Sequence, residues 1–139
     1  MKKEVKRISG GNPKAPREVT RVAISVAFET DMGRRTSGYR ATMWVDGFTE
    51  QSWAGFQSTE AAVKWAQKAM FAQLRRQVAL EIAGFEQCGM SEPHIKSRLA
   101  KRYGDDGCRL VYCQQSVEDA ETPRTAGYFR MKVDRAMST

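Results

Sequence analysis

The dipeptide Asp46-Gly47 separates two runs of strand-forming residues, 39–45 (Tyr-Arg-Ala-Thr-Met-Trp-Val) and 48–54 (Phe-Thr-Glu-Gln-Ser-Trp-Ala). A two-residue connection between strands favours a type I′ turn, which needs positive φ at both central residues, and Asp-Gly accepts that geometry with little strain. So short a loop also sets the register of the two strands. Val45 then faces Phe48, Trp44 faces Thr49, Thr42 faces Gln51 and Arg40 faces Trp53. A period of two along each strand puts Arg40, Thr42 and Trp44 on one side with Thr49, Gln51 and Trp53.

Upstream, residues 19–29 place Val22, Ile24, Val26 and Phe28 in alternation with Arg21, Ala23, Ser25 and Ala27. This is the pattern of a half-buried strand. Its polar side adds Arg21 and Ser25 to the same candidate surface, and the polar loop 31–38 adds Arg34 and Arg35. Downstream, Ser58-Thr59-Glu60 has the form of a helix start, with a hydroxyl cap and an acid in the first turn. The spacing of Val63, Ala66, Met70, Leu74 and Val78 predicts a helix over about 59–83. Ala62, Trp65 and Ala69 widen its apolar stripe, and Gly84 is the expected C-cap. A second helix is expected from Ser91 to Gly104, with Pro93 tolerated in its first turn. Strands are expected at 108–115 and 127–134, separated by an acidic turn region that contains Pro123. The fold class is therefore α+β. An antiparallel three-stranded N-terminal meander packs against a long helix, followed by a further helix and two C-terminal strands.

Charge divides the chain. Residues 1–17 hold six basic side chains against one acid, together with Gly10, Gly11, Pro13 and Pro16. The remaining residues hold seventeen basic and fifteen acidic side chains, so most of the net charge of +7 sits in the tail. The domain reading follows: 1–17 is a basic flexible arm and 18–139 is one α+β domain. Two roles fit the arm, an electrostatic aid to nucleic-acid binding and a solubilising tail. The apolar runs are too short to span a bilayer and the N-terminus lacks the apolar stretch of a signal peptide, so no membrane partner and a cytoplasmic location are expected. Three cysteines are too few for a disulfide framework.

The pieces Tyr39-Arg40, Asp46-Gly47, Trp53/Gly55/Phe56 and Glu60-Ala61-Ala62 resemble the three-strand-plus-helix DNA-binding domains of the Apetala-two type and of phage integrase N-terminal arms. The resemblance covers about 50 of the 139 residues. It implies that the exposed sheet face enters the major groove of DNA, with arginine and tryptophan touching bases and backbone. The residue types allow such contacts, since arginine can bridge guanine, glutamine can bridge adenine and threonine can touch phosphate. Glu50, beside Met43 on the apolar side, and the acids Glu29, Asp31 and Asp46 depart from a purely basic reader. So do the helix and strands after residue 90, which those families lack.

Catalytic chemistry is weakly represented. Cys88, His94, Cys108 and Cys113 have the spacing Cys-x5-His-x13-Cys-x4-Cys, unlike the close cysteine pairs of structural zinc sites. No nucleophile–base pattern accompanies His94, and no phosphate-binding glycine loop occurs. A non-enzymatic protein without metal or cofactor is expected. Arg98, Lys101 and Arg102 form a basic patch on the second helix, open to two readings, a solvated face or phosphate contacts. The leading expectation is DNA binding of a mobile-element kind, carried by Arg21, Arg34, Arg35, Arg40, Thr42, Trp44, Gln51, Trp53, Arg98, Lys101 and Arg102. The alternative is a phage accessory protein, anti-CRISPR-like, that binds and inhibits a host defence or nucleic-acid-processing protein. Aromatic residues and arginine on one sheet face suit a protein interface equally.

Overall fold

The computed structural model describes residues 18–33, 36–104, 106–118 and 124–133. The arm, Arg34 and Arg35 lie outside the described residues. In chain order the elements are β1 (Val19–Asp31), β2 (Thr36–Val45), β3 (Phe48–Gln51), α1 (Thr59–Gln87), α2 (Glu92–Tyr103), β4 (Cys108–Val117) and β5 (Arg124–Lys132).

The turn between β2 and β3 forms as its residues dictate. Asp46 has φ 44° and Gly47 has φ 79°, and the register pairs Val45 with Phe48, Trp44 with Thr49 and Thr42 with Gln51. The pairing then stops. Beyond Gln51 the chain is held by Ser52, whose amide and hydroxyl both bond the backbone of Ala41, and by a bridge between Tyr39 and Phe56. The expected pairing of Arg40 with Trp53 is therefore not made as a ladder. Gly38 allows the close approach, since a Cβ there would lie 2.8 Å from the Phe56 carbonyl oxygen.

The sheet corrects the antiparallel expectation. It has five strands in the order β3-β2-β1-β4-β5, and β1 pairs with β4 in parallel, Val19 with Leu110 through Val26 with Val117. The other neighbours are antiparallel. The C-terminal strands thus extend the N-terminal meander into one mixed sheet. A parallel partner needs a long crossover, which α1 and α2 provide, and β4 covers the edge that β1 would otherwise leave unpaired.

Both helices pack on one side of the sheet. Ala62, Ala66, Met70, Leu74, Val78 and Ile82 line the buried edge of α1 at intervals of four. They meet Val22, Ile24 and Val26 of β1, Ala41, Met43 and Val45 of β2, and Val111 and Met131 from the C-terminal pair. Ile95, Leu99 and Tyr103 bring α2 into the same core. Phe28, expected on the buried side, is 48% exposed; it lies near the far end of β1 and packs edge-on against Tyr39.

Helix α1 runs past Gly84 to Gln87, one turn longer than the spacing predicts. Its C-terminus is closed by Gly89 at φ 80°, with the Gly89 amide bonding the Glu86 carbonyl and the Met90 amide bonding the Phe85 carbonyl. This is the Schellman arrangement, which needs a left-handed residue just past the cap. Gly84 is simply a helical glycine.

Candidate nucleic-acid interface

Among the described residues, no element covers the side of the sheet away from the helices. Because β1 lies at the centre, its register transmits the alternation outward in both directions. Ala23 stands between Trp44 and Gln114, Ser25 between Thr42 and Ser116, and Arg21 beside Tyr112. On β5, Tyr128 faces Tyr112 and Arg130 faces Leu110. The exposed rows therefore carry Trp44, Tyr112 and Tyr128 among small and polar side chains. Trp44 is 42% exposed and Tyr128 is 63% exposed. Strands lie about 4.8 Å apart, so five of them span roughly 19 Å.

Aromatic contacts order this surface. Tyr112 and Tyr128 pack with ring centroids 4.9 Å apart, and the Arg21 guanidinium sits 5.2 Å from the Tyr112 centroid. Arginine over an aromatic face gains a cation–π attraction. Among the described residues no carboxylate pairs with Arg21. A hollow of about 220 Å³ is lined by Arg21, Ala23, Trp44, Asp46, Tyr112 and Gln114.

The predicted site residues distribute unevenly. Arg21, Arg40, Trp44 and Gln51 share the open side. Arg40 pairs with Glu29 at 3.3 Å, and its guanidinium also reaches Gln51 at 3.5 Å. Thr42 lies in the same row but is buried, and its hydroxyl accepts a bond from the Gln51 amide at 3.2 Å. Its hydroxyl thus supports the Gln51 side chain. Trp53 is 48% exposed beyond the end of β3. Its ring folds over Gly55, where a Cβ would overlap it, and meets Phe56 edge-on at 6.0 Å.

Arg98, Lys101 and Arg102 are on the helical layer and do not join the sheet site. Arg102 pairs with Glu18 and Glu81 at 3.3 Å and 3.2 Å. Arg98 lies over the Phe85 ring at 5.5 Å. These three residues edge a larger hollow of about 760 Å³ between α1 and α2, with Leu80, Phe85 and Cys88 also lining it. His94 is exposed on α2. Among the described residues no group of three His, Cys, Asp or Glu side chains is placed to hold a metal ion.

Residues 108–130 contribute Tyr112, Gln114, Tyr128 and Arg130, which reasoning from the sequence did not assign to this surface. Alternation was present, but Arg109 obscured which side of β4 faces inward. That arginine is 5% exposed on the core side. Its Nε donates to Thr20 Oγ1 at 2.9 Å, one Nη donates to Gln77 Oε1 at 3.0 Å, and the other reaches the Leu74 carbonyl at 3.5 Å. It also approaches the Asp46 carboxylate at 3.8 Å. Nearby, the Tyr103 hydroxyl donates to Glu81 at 2.6 Å. Burial, followed by the hydrogen bond and negative charge of Glu81, pushes the Tyr103 phenol up to about 12. Arg130, at the opposite edge of the sheet, is bound to Asp106.

Among the described residues no helix is long and apolar enough to cross a membrane. No family model, curated protein or solved structure matches the chain.

Proposed function

We propose that this protein binds nucleic acid across the open side of its sheet, with unpaired bases stacking on Trp44, Tyr112 and Tyr128. The observation that carries the reading is the placement of three aromatic side chains and Arg21 on one five-stranded surface that no described element covers. Aromatic rings set in a basic or polar surface are the usual means of holding single strands, because every base has a face to stack. The basic segment 1–17 precedes β1 and supplies charge for phosphates.

The width of the sheet favours single-stranded over duplex targets. The major groove is about 12 Å wide and admits a two-stranded ribbon, whereas this sheet spans roughly 19 Å. The β1–β3 unit is continued by β4 and β5 in one sheet, which hinders its entry into a groove. A flexible strand can follow the whole surface more readily than a rigid duplex.

Fluorescence anisotropy with labelled oligonucleotides tests the proposal. Single strands are expected to bind more tightly than a duplex of the same sequence, with affinity falling steeply as salt rises. Replacing Trp44 and Tyr112 together by Ala is expected to weaken binding by about 10-fold or more, from the known size of base–aromatic stacking. Absence of salt-sensitive binding to any strand well into the micromolar range would refute the proposal.

A second reading rests on the ion pairs. Arg40 is engaged by Glu29 and Arg130 by Asp106, which leaves the surface less basic than its arginine content implies. A polar aromatic face of this kind also suits a protein partner, as in an inhibitor of a host nucleic-acid-processing protein. A partner that co-purifies from host lysate after nuclease treatment, and is lost in the Trp44→Ala variant, would favour this reading.

A further inference from the structure

We propose that the outer edge of β3 takes up an extended acidic segment of a partner protein as a sixth strand, whose side chains run acid, apolar, acid at alternate positions along the groove between β3 and α1. This site is separate from the open side of the sheet and does not rest on the nucleic-acid reading.

The Asp-Gly turn sets up the edge. The Ser52 amide donates to the Ala41 carbonyl on β2, so Phe48 and Glu50, at even steps from Ser52, also direct their backbone groups to β2. Thr49 and Gln51 then turn their N–H and C=O groups outward. β3 ends the sheet, and among the described residues no strand pairs with its outer side. The edge closes at Trp53, whose carbonyl accepts from the Gly55 amide and the Ser52 hydroxyl. Two donors and two acceptors at strand spacing remain. An extended polypeptide reciprocates both kinds, whereas a phosphate backbone offers acceptors only.

The groove supplies the selectivity. Phe48 and Glu50 pair with buried Val45 and Met43, so their side chains point to the helical side. With Trp65, Lys68, Ala72 and Arg76 of α1 they line a hollow of about 440 Å³. Lys68, Ala72 and Arg76 are four residues apart and form one stripe with steps of about 6 Å. Alternate side chains of a strand are about 6.7 Å apart. Three successive side chains on one face of an added strand therefore match the stripe, an acid at Lys68, an apolar group over Ala72 beside Trp65, and an acid at Arg76. Both cations are exposed and make no ion pair among the described residues.

Glu50 selects the order. In an antiparallel alignment the central side chain lies opposite Glu50, where an acid is repelled, and the flanking acids fall opposite Phe48 and Ser52. The same charge disfavours a second copy of this chain, because two β3 edges joined through Thr49 and Gln51 set Glu50 against Glu50.

The test uses the full-length protein and the fluorescein-labelled peptide Gly-Thr-Glu-Thr-Val-Thr-Glu-Thr-Gly, read by anisotropy at low salt. It is expected to bind about 10-fold more tightly than the same peptide with Lys for both Glu. It is also expected to bind about five-fold more tightly than Gly-Thr-Thr-Glu-Glu-Val-Thr-Thr-Gly, which has the same composition without the alternation. The Lys68→Glu/Arg76→Glu protein is expected to reverse the order of the acidic and Lys peptides. Thr49→Pro removes one outward N–H and is expected to weaken binding by about five-fold or more. The charge-reversal variant lies on an exposed helix face, so it carries the test if Thr49→Pro does not fold. No saturable binding of the acidic peptide up to millimolar protein, equal binding of the rearranged peptide, an unchanged peptide order in the charge-reversal protein, or full affinity in a folded Thr49→Pro protein overturns the proposal. Oligothymidylate competing as strongly as unlabelled peptide reassigns the groove to nucleic acid, and a dimer in sedimentation that Thr49→Pro makes monomeric reassigns the edge to a second copy; each also overturns it.

Discussion

Replacing Arg109 tests whether the polar network beneath the sheet stabilises the fold. Arg109 is nearly inaccessible, yet its guanidinium links β4 to β1 through Thr20, to α1 through Gln77 and Leu74, and to the β2–β3 turn through Asp46. Two of those hydrogen bonds have good length, and a bond to a charged group contributes about 1.5 kcal/mol or more. Losing both in Arg109→Met removes at least about 3 kcal/mol. Relief of the cost of burying the charge offsets part of that, and Met fills most of the space. A net loss of about 2 kcal/mol is expected. Asp46 is mostly exposed and can be solvated by water, so the variant leaves no buried carboxylate stranded. Arg109→Ala also opens a cavity and is expected to cost about 4 kcal/mol. For a domain of this size each kcal/mol lowers Tm by roughly 3–6 °C. Thermal unfolding followed by circular dichroism should then place Arg109→Met about 6–12 °C below wild type, with Arg109→Ala lower still. An Arg109→Met protein as stable as wild type would refute the reasoning. The guanidinium would then cost as much to bury as its partners return, which is a known outcome for buried ions.

The remaining predictions concern α1, Tyr103 and the thiols. Gly89→Ala forces a side chain into left-handed backbone and should cost about 1 kcal/mol, whereas Gly84→Ala, with open space at its Cβ, should stabilise by about 0.5–1 kcal/mol in the same melting assay. The Tyr103 phenol titrates near 10 when unfolded and is pushed up to about 12 when folded. Between those values the folded state holds the proton that the unfolded state has lost, so stability present below pH 10 should fall as pH rises towards 12. Tyr103→Phe should lower stability by about 1 kcal/mol at neutral pH and flatten that alkaline decline, seen by urea unfolding across the range. Under native conditions a thiol reagent should modify exposed Cys88 first and Cys113 slowly, because burial pushes the Cys113 thiol up; equal rates at both would contradict the placement of β4.

The candidate surface was half legible in the residues. Arg21, Arg40, Trp44 and Gln51 share a side because strand alternation and a two-residue turn fix orientation locally. Tyr112 and Tyr128 escaped because their neighbours on the surface are close in space and not along the chain. Tyr112 stands beside Arg21, and nothing in residues 108–115 names that partner. The helix end misled for a related reason. Gly84 and Gly89 are both plausible stops by residue type, and the choice was made by burial, since Ile82 and Phe85 continue the packed face of α1 beyond the first glycine.

Taken alone, the chain of residues determined the elements whose causes are local: the Asp-Gly hairpin and its register, the alternating strands, the amphipathic first helix and the separation of basic tail from near-neutral domain. Only the tertiary structure decided that β4 docks in parallel on β1, that Arg109 turns inward, and that the helices leave the tryptophan-bearing side open. Those outcomes depend on competition among distant surfaces for burial and for unpaired strand edges, and a local pattern carries no record of which partner wins.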